Sequence, residues 1–140
     1  MLLSEKIRKG TFKHIEGELY AYHETLKEIE RLKKDIYLAS PVPDETGIRS
    51  NLPGDPTGKK VTTMLMHRRI QQLEQIADAI FEVYNRLPND KKKLIKVVYW
   101  TKPQTLTWDG IAIELNVSRR QALYWRDEIV YAIATILGWR

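Results

Sequence analysis

Apolar residues at Phe12, Ile15, Leu19, Tyr22, Leu26, Ile29 and Ile36 advance mostly in steps of three and four, with Lys33 interrupting the run. Such spacing predicts a long helix over residues 4–38 with a narrow apolar seam, the kind that packs beside a second helix in coiled-coil fashion. Its other face carries Glu16, Glu24, Lys27, Arg31 and Lys34, whose mixed signs read as a solvated surface. Gly10 and Gly17 each weaken a helix by about 1 kcal/mol relative to alanine, so the first turns are expected to fray. A second seam of the same period runs through Met66, Ile70, Leu73, Ala77, Ile80, Tyr84 and Leu87 and predicts a helix over residues 56–87.

Between the seams, residues 39–55 hold Pro41, Pro43, Gly47, Pro53 and Gly54, which break helix and strand alike and predict an irregular connection of unusual length. Asp55 stands where a helix N-cap belongs. Pro56 follows at the first helical position, where its missing N–H leaves nothing unsatisfied. The stretch "PGDPTGKK" has a superficial likeness to a phosphate-cradling loop. It has three residues between Gly54 and Gly58 where that loop needs four, and Lys60 stands where a hydroxyl should hold magnesium. It therefore reads as a helix start.

Leu87-Pro88 closes the second helix, Asn89 is placed to cap a third over residues 89–101, and Leu94, Val97 and Val98 give that helix one apolar face. "TKPQTLT", with Pro103, is the next break. Residues 107–133, "TWDGIAIELNVSRRQALYWRDEIVYAI", carry the functional information. Thr107 caps a short helix over residues 107–115 with Ile111, Ala112 and Leu115 inward, Ala112 being small where another helix crosses closely. Asn116 tolerates the left-handed backbone of a tight corner, Val117 plugs the angle, and Ser118 caps a last helix over residues 118–137. Ala122, Trp125, Ile129, Ile133 and Ile136 fix its inward face. Arg119, Arg120, Leu123 and Tyr124 are left outside near its start, which is the anatomy of a helix-turn-helix offering its second helix to the DNA major groove.

The side chains suit that task. Arginine donates two parallel hydrogen bonds to guanine or binds phosphate, glutamine pairs similarly with adenine, and tyrosine reaches a phosphate or a thymine methyl. Ser118, Arg119, Arg120, Gln121 and Tyr124 are thus candidate DNA-binding residues, with Lys102 and Thr105, in the loop before the motif, as candidate backbone contacts. The sequence leaves open which arginine reads a base. Trp108 and Trp125 read as core aromatics. Arg126, at the margin of the buried face, is open to an ion pair with Glu128 or the neighbours of Asp127, or to a phosphate.

The chain has 140 residues, 43% hydrophobic and 29% charged, as an ordinary globular protein does. No stretch is apolar enough to span a membrane and no secretory signal opens the chain, so a cytoplasmic place is expected. The absence of cysteine fits a reducing compartment and excludes disulfides and cysteine-based zinc modules. His14, His23 and His67 are too scattered for a local metal site, and no paired carboxylates or nucleophile, base and acid constellation stands out. Neither catalysis nor a cofactor or metal is expected. A formal net charge of +5 favours an acidic partner such as double-stranded DNA.

The segments "LPNDKKKLIKVVYW" and "LTWDGIAIELNVSRRQALYWRDEIVYAIATILGW" resemble the C-terminal half of the RinA/ArpU-type phage late transcriptional regulators, "YW", "TWDGIA", "SRR" and "LGW" being the specific parts. More distantly they are similar to the promoter-binding helix-turn-helix of sigma factors. The first long helix and "SNLPGDPTGKK" are similar to that phage family too, so the resemblance covers nearly the whole chain. It implies a DNA-binding activator of phage or prophage late genes, packaging and structural genes among them, that binds a promoter-proximal site and works with host RNA polymerase. It also places the family's recognition helix from Ser118 to Tyr124. Without the other promoter-binding domains of a sigma factor, the chain is not expected to act as one.

The expected fold is therefore all-α. A long antiparallel helix pair, coiled-coil-like, occupies residues 1–87 and serves oligomerisation or interaction; a three-helix sigma-like helix-turn-helix domain occupies residues 88–140. A hairpin of two seams needs a third surface to bury Tyr22, Met66 and Ile80, supplied by the C-terminal domain or by a second chain of a homo-oligomer. Two other readings fit the same sequence. One is a small-terminase-like subunit that recognises DNA for packaging, and the other a helix-turn-helix that docks on polymerase or another protein instead of DNA.

Overall fold

The computed structural model describes residues 6–39 and 56–140, and every described element is helical. In chain order these are α1 (Lys9–Tyr20), α2 (Tyr22–Ala39), α3 (Pro56–Arg86), α4 (Asn89–Val98), α5 (Trp108–Leu115) and α6 (Arg119–Leu137). The predicted connection and the Asp55 cap lie outside the described residues. None of the described helices is long and apolar enough to cross a membrane.

Where one N-terminal helix was expected there are two. The chain bends at Ala21, whose φ of −88° and ψ of 0° lie off helical values. A cause is visible beside it: the Trp100 indole N–H donates to the Leu19 carbonyl at 3.0 Å, and a side chain that enters the helical hydrogen-bond ladder is a recognised source of kinks. The bend also re-phases the seam. Beyond Tyr22 the inward positions are Thr25, Ile29, Leu32 and Ile36, so Thr25 is 6% exposed while Leu26, expected inside, is 39% exposed. The helix begins at Lys9, later than expected, with residues 6–8 non-helical.

α3 follows its predicted seam closely. Ile70, Leu73, Ala77 and Ile80 are buried, Met66, Tyr84 and Leu87 partly so, and Pro56 is the first helical residue as expected. α2 packs against α3, with Lys33 paired to Glu74 at 2.8 Å and Arg69 to Glu28 at 3.8 Å at their margins. Lys33 thus stands beside the seam, where Leu32 takes the inward place, and reaches across to a partner helix. Ala79 and Val83, off the seam, are buried as well, because α3 also packs on α6.

α4 stops at Val98, three residues short of the expected end, and Tyr99 and Trp100 turn back toward the N-terminal helices. Asn89 is its first helical residue and not its cap; the Pro88 carbonyl starts the ladder by accepting from Lys92 N–H at 3.0 Å. Leu94, Ile95 and Val98 are buried and Val97 partly so. α4, α5 and α6 pack on one another, and α6 packs on α1 and α3 too. One cluster of buried side chains consequently includes residues from both sides of Pro88.

Candidate nucleic-acid interface

The corner between α5 and α6 forms as its residues dictate. Thr107 caps α5, its hydroxyl accepting from Gly110 N–H at 3.2 Å. Asn116 adopts φ 56° and ψ 42°, the left-handed conformation that asparagine tolerates better than a branched residue would. Val117 is half-buried in the angle and donates its N–H to the Ala112 carbonyl at 3.0 Å, and Ser118 caps α6 by accepting from Gln121 N–H at 3.0 Å. Ile111, Ala112, Leu115, Ala122, Ile129 and Ile133 are buried, fixing how α6 lies on α5. Ile136 departs from the predicted face at 46% exposed; Val130 and Ala134 take the inward role, since α6 is covered by α1 and α3 as well as by α5.

Five of the seven candidate DNA-binding residues come together on the first turns of α6. Ser118, Arg119, Arg120 and Tyr124 are exposed and Gln121 half so, while Arg119, Arg120, Leu123, Tyr124 and Asp127 line a shallow surface depression. Two acidic residues border this basic edge, and sequence reasoning missed both. Asp109, in the first turn of α5, lies 3.6 Å from Arg119, and both side chains remain largely in water. Asp127 is the partner of Arg126, accepting from Nε at 3.0 Å and Nη2 at 2.9 Å. The placement of Asp109 depends on the crossing of α5 over α6, which periodicity along either helix does not carry, whereas Asp127 lies seven residues after Arg120 on the same face of α6.

Arg126 holds three elements together. Its guanidinium sits 5.1 Å from the Phe12 ring centroid and 5.2 Å from that of Trp108, a cation–π arrangement joining α1, α5 and α6. It pairs with Asp127 itself, whereas Glu128 takes Lys91 at 2.9 Å, and Lys91 also lies 5.9 Å from the Trp125 ring. Trp108 and Trp125 are partly buried and packed on the core.

Lys102 and Thr105 are both exposed in the loop before α5. Lys102 pairs with Glu24 of α2 at 3.3 Å, and neither loop residue lines the depression at the start of α6. That loop is held by Gln104, whose amide donates to the Val97 carbonyl and to that of Val98 at 3.1 Å while its oxygen accepts from Leu106 N–H at 2.8 Å.

With this geometry in place, comparison with known proteins adds a family and no function. Residues 16–135 match the model of a family described as a protein of unknown function, DUF722, and the chain belongs to that family. No curated protein and no solved structure matches the chain.

Proposed function

We propose that the chain binds double-stranded DNA through the start of α6 and activates phage or prophage late genes together with host RNA polymerase. A single observation carries the DNA-binding part. Two helices joined at a left-handed Asn116 present a Ser118-capped N-terminus whose outward residues are Arg119, Arg120 and Tyr124, the residue types and positions with which a recognition helix meets a major groove. The transcriptional part rests on the resemblance to the late regulators, in which the same segment is the recognition helix. The long-helix pair, read as antiparallel, and the α4–α6 unit, read as sigma-like, fit that resemblance. Asp109 tempers the affinity, because Arg119 must exchange its carboxylate for a phosphate or a base.

The test is binding of wild type, Arg119→Ala, Arg120→Ala and Tyr124→Ala to DNA from upstream of the gene's own late operon across a salt series. An arginine that reads a base should cost about 1–3 kcal/mol and relax preference at one base pair, and one that holds a phosphate should weaken all sequences alike and lower the salt slope by about one. Asp109→Asn should tighten binding. Equal affinity for all variants, or no affinity of the wild type at low salt, would overturn the reading in favour of a protein-docking role. Activation itself is tested by transcription from that DNA with and without the protein.

A further inference from the structure

Arg126, which the sequence leaves open to a phosphate, has a different use in the fold. It pairs with Asp127 and lies between the rings of Phe12 and Trp108, 5.1 Å from one centroid and 5.2 Å from the other. Phe12 also meets Tyr131 edge-on at 6.2 Å, so the first turn of α1 is fixed against α6 and beside the first residue of α5. The Thr11 hydroxyl on the Arg140 carbonyl and the His14 ring on Trp139 hold the same stretch.

Residues 6–13 carry Lys6, Arg8, Lys9 and Lys13 and no Asp or Glu. All four are exposed, and none forms an ion pair among the described residues. The other basic run, residues 91–96, is used differently: Lys91 pairs with Glu128, Lys92 lies 5.4 Å from the Tyr84 ring, and Lys93 donates to the Glu114 carbonyl at 3.0 Å. Local helix chemistry does not ask for the N-terminal cations either. The α1 N-cap makes no side-chain bond, no acidic residue stands in the first turn, and Arg8 and Lys9 at this end oppose the helix dipole. Glu5 is the single acid in the five residues before the run, and Glu16 and Glu18 after it engage Tyr99 and His14.

We infer that this run is a second DNA contact, holding phosphates where the first turn of α5 crosses the backbone; the inference rests on the reading of α6 as the recognition helix. In helix-turn-helix docking the first helix of the motif crosses the backbone while the second enters the groove. Trp108, the first residue of α5, shares Arg126 with Phe12, and that sharing brings the run to the crossing. Unpaired cations meet a polyanion without breaking an existing pair, whereas Arg119 must leave Asp109. Phosphate contacts carry no sequence information, so the run adds affinity and position while α6 supplies the preference.

The test uses DNA from upstream of the gene's own late operon and exposed positions whose replacement spares the core. Arg8→Gln/Lys9→Gln/Lys13→Gln should lower the slope of log affinity against log salt by about two or more, at about 0.9 per phosphate, with the preference among sequences unchanged. Lys27→Gln/Arg31→Gln/Lys34→Gln removes the same charge from exposed positions of α2 and should lower the slope by less than about one. Trimming the base pairs that flank the site should take the same part of the slope from wild type and leave the Arg8/Lys9/Lys13 variant unchanged. A slope change no larger than that of the α2 variant, with Arg119→Ala still weaker than wild type, would overturn this proposal and leave the α6 reading standing. A lowered slope together with equal binding of Arg119→Ala, Arg120→Ala and wild type would overturn the α6 reading and keep the run as the DNA contact. No affinity of the wild type at low salt would overturn both.

Discussion

Tyr99 is buried to 1% exposure, and its hydroxyl donates to the Glu16 carboxylate at 2.7 Å. A carboxylate that reads as solvated helix surface is thereby an acceptor for a core phenol. Burial first, and then the bond to Glu16 and its charge, push the Tyr99 pKa far above its ordinary 10.0. A raised folded pKa means stability that is complete below the unfolded value and is lost as pH climbs past it, because the unfolded tyrosine gives up its proton while the folded one holds on. Stability should therefore fall above about pH 10. Tyr99→Phe should cost about 1 kcal/mol at neutral pH, the worth of one hydrogen bond whose remaining partner can reach water. It should also flatten the alkaline decline without abolishing it, since Tyr20 and Tyr22 are raised as well, each chiefly by burial. Denaturant titrations at neutral and alkaline pH measure both effects, and an unchanged alkaline slope would mean that Tyr99 is not its source.

At the scale of the element, the kink at Ala21 decides which side of α2 is inside. Leu19, fully buried, and Leu26, outside the core, are seven residues apart and would share a face in a straight helix. Leu19→Asp should destabilise by more than about 3 kcal/mol, since it puts a charge into an apolar contact, and Leu26→Asp should change stability by about 0.5 kcal/mol or less. Equal melting of the two variants would show that no bend separates them. Leu73→Asp should behave like Leu19→Asp, its side chain being only 4% exposed. The α5–α6 corner has its own test. Asn116→Val puts a branched side chain into a left-handed conformation and should cost about 1–3 kcal/mol, whereas Asn116→Gly should be near neutral or better, as read by thermal melting.

Across the whole molecule, α6 is the shared member: it packs on α1, α3, α4 and α5. The third surface that the two seams required is supplied within the chain. Trp100, at the end of the α4 segment, lies 5.3 Å from Tyr22 with its ring nearly parallel, and 5.0 Å from Tyr84. At the other end Trp139 stacks on His14, and the Thr11 hydroxyl donates to the Arg140 carbonyl. Elements before and after Pro88 should accordingly melt together, in one calorimetric transition whose van't Hoff and calorimetric enthalpies agree. Trp139→Ala should lower the midpoint of that transition without splitting it. Two separated transitions would show that residues 1–87 and 88–140 fold independently.

The sequence alone determined whatever depends on local chemistry: helix against strand, the α3 seam, the corner at Asn116 and the cap at Ser118. Those follow from spacing at the helical period and from single-residue backbone preferences, which act within a few positions of the chain. Only the tertiary structure decided where a helix meets something distant. Trp100 bends the N-terminal helix 81 positions earlier and moves Leu26 out of the core, Tyr99 makes Glu16 an acceptor, and the crossing of α5 over α6 sets Asp109 against Arg119. Amphipathic periodicity records that a helix has an inside, and where neighbours on two sides bury parts of different faces, as they do on α3 and α6, one period no longer names every buried residue.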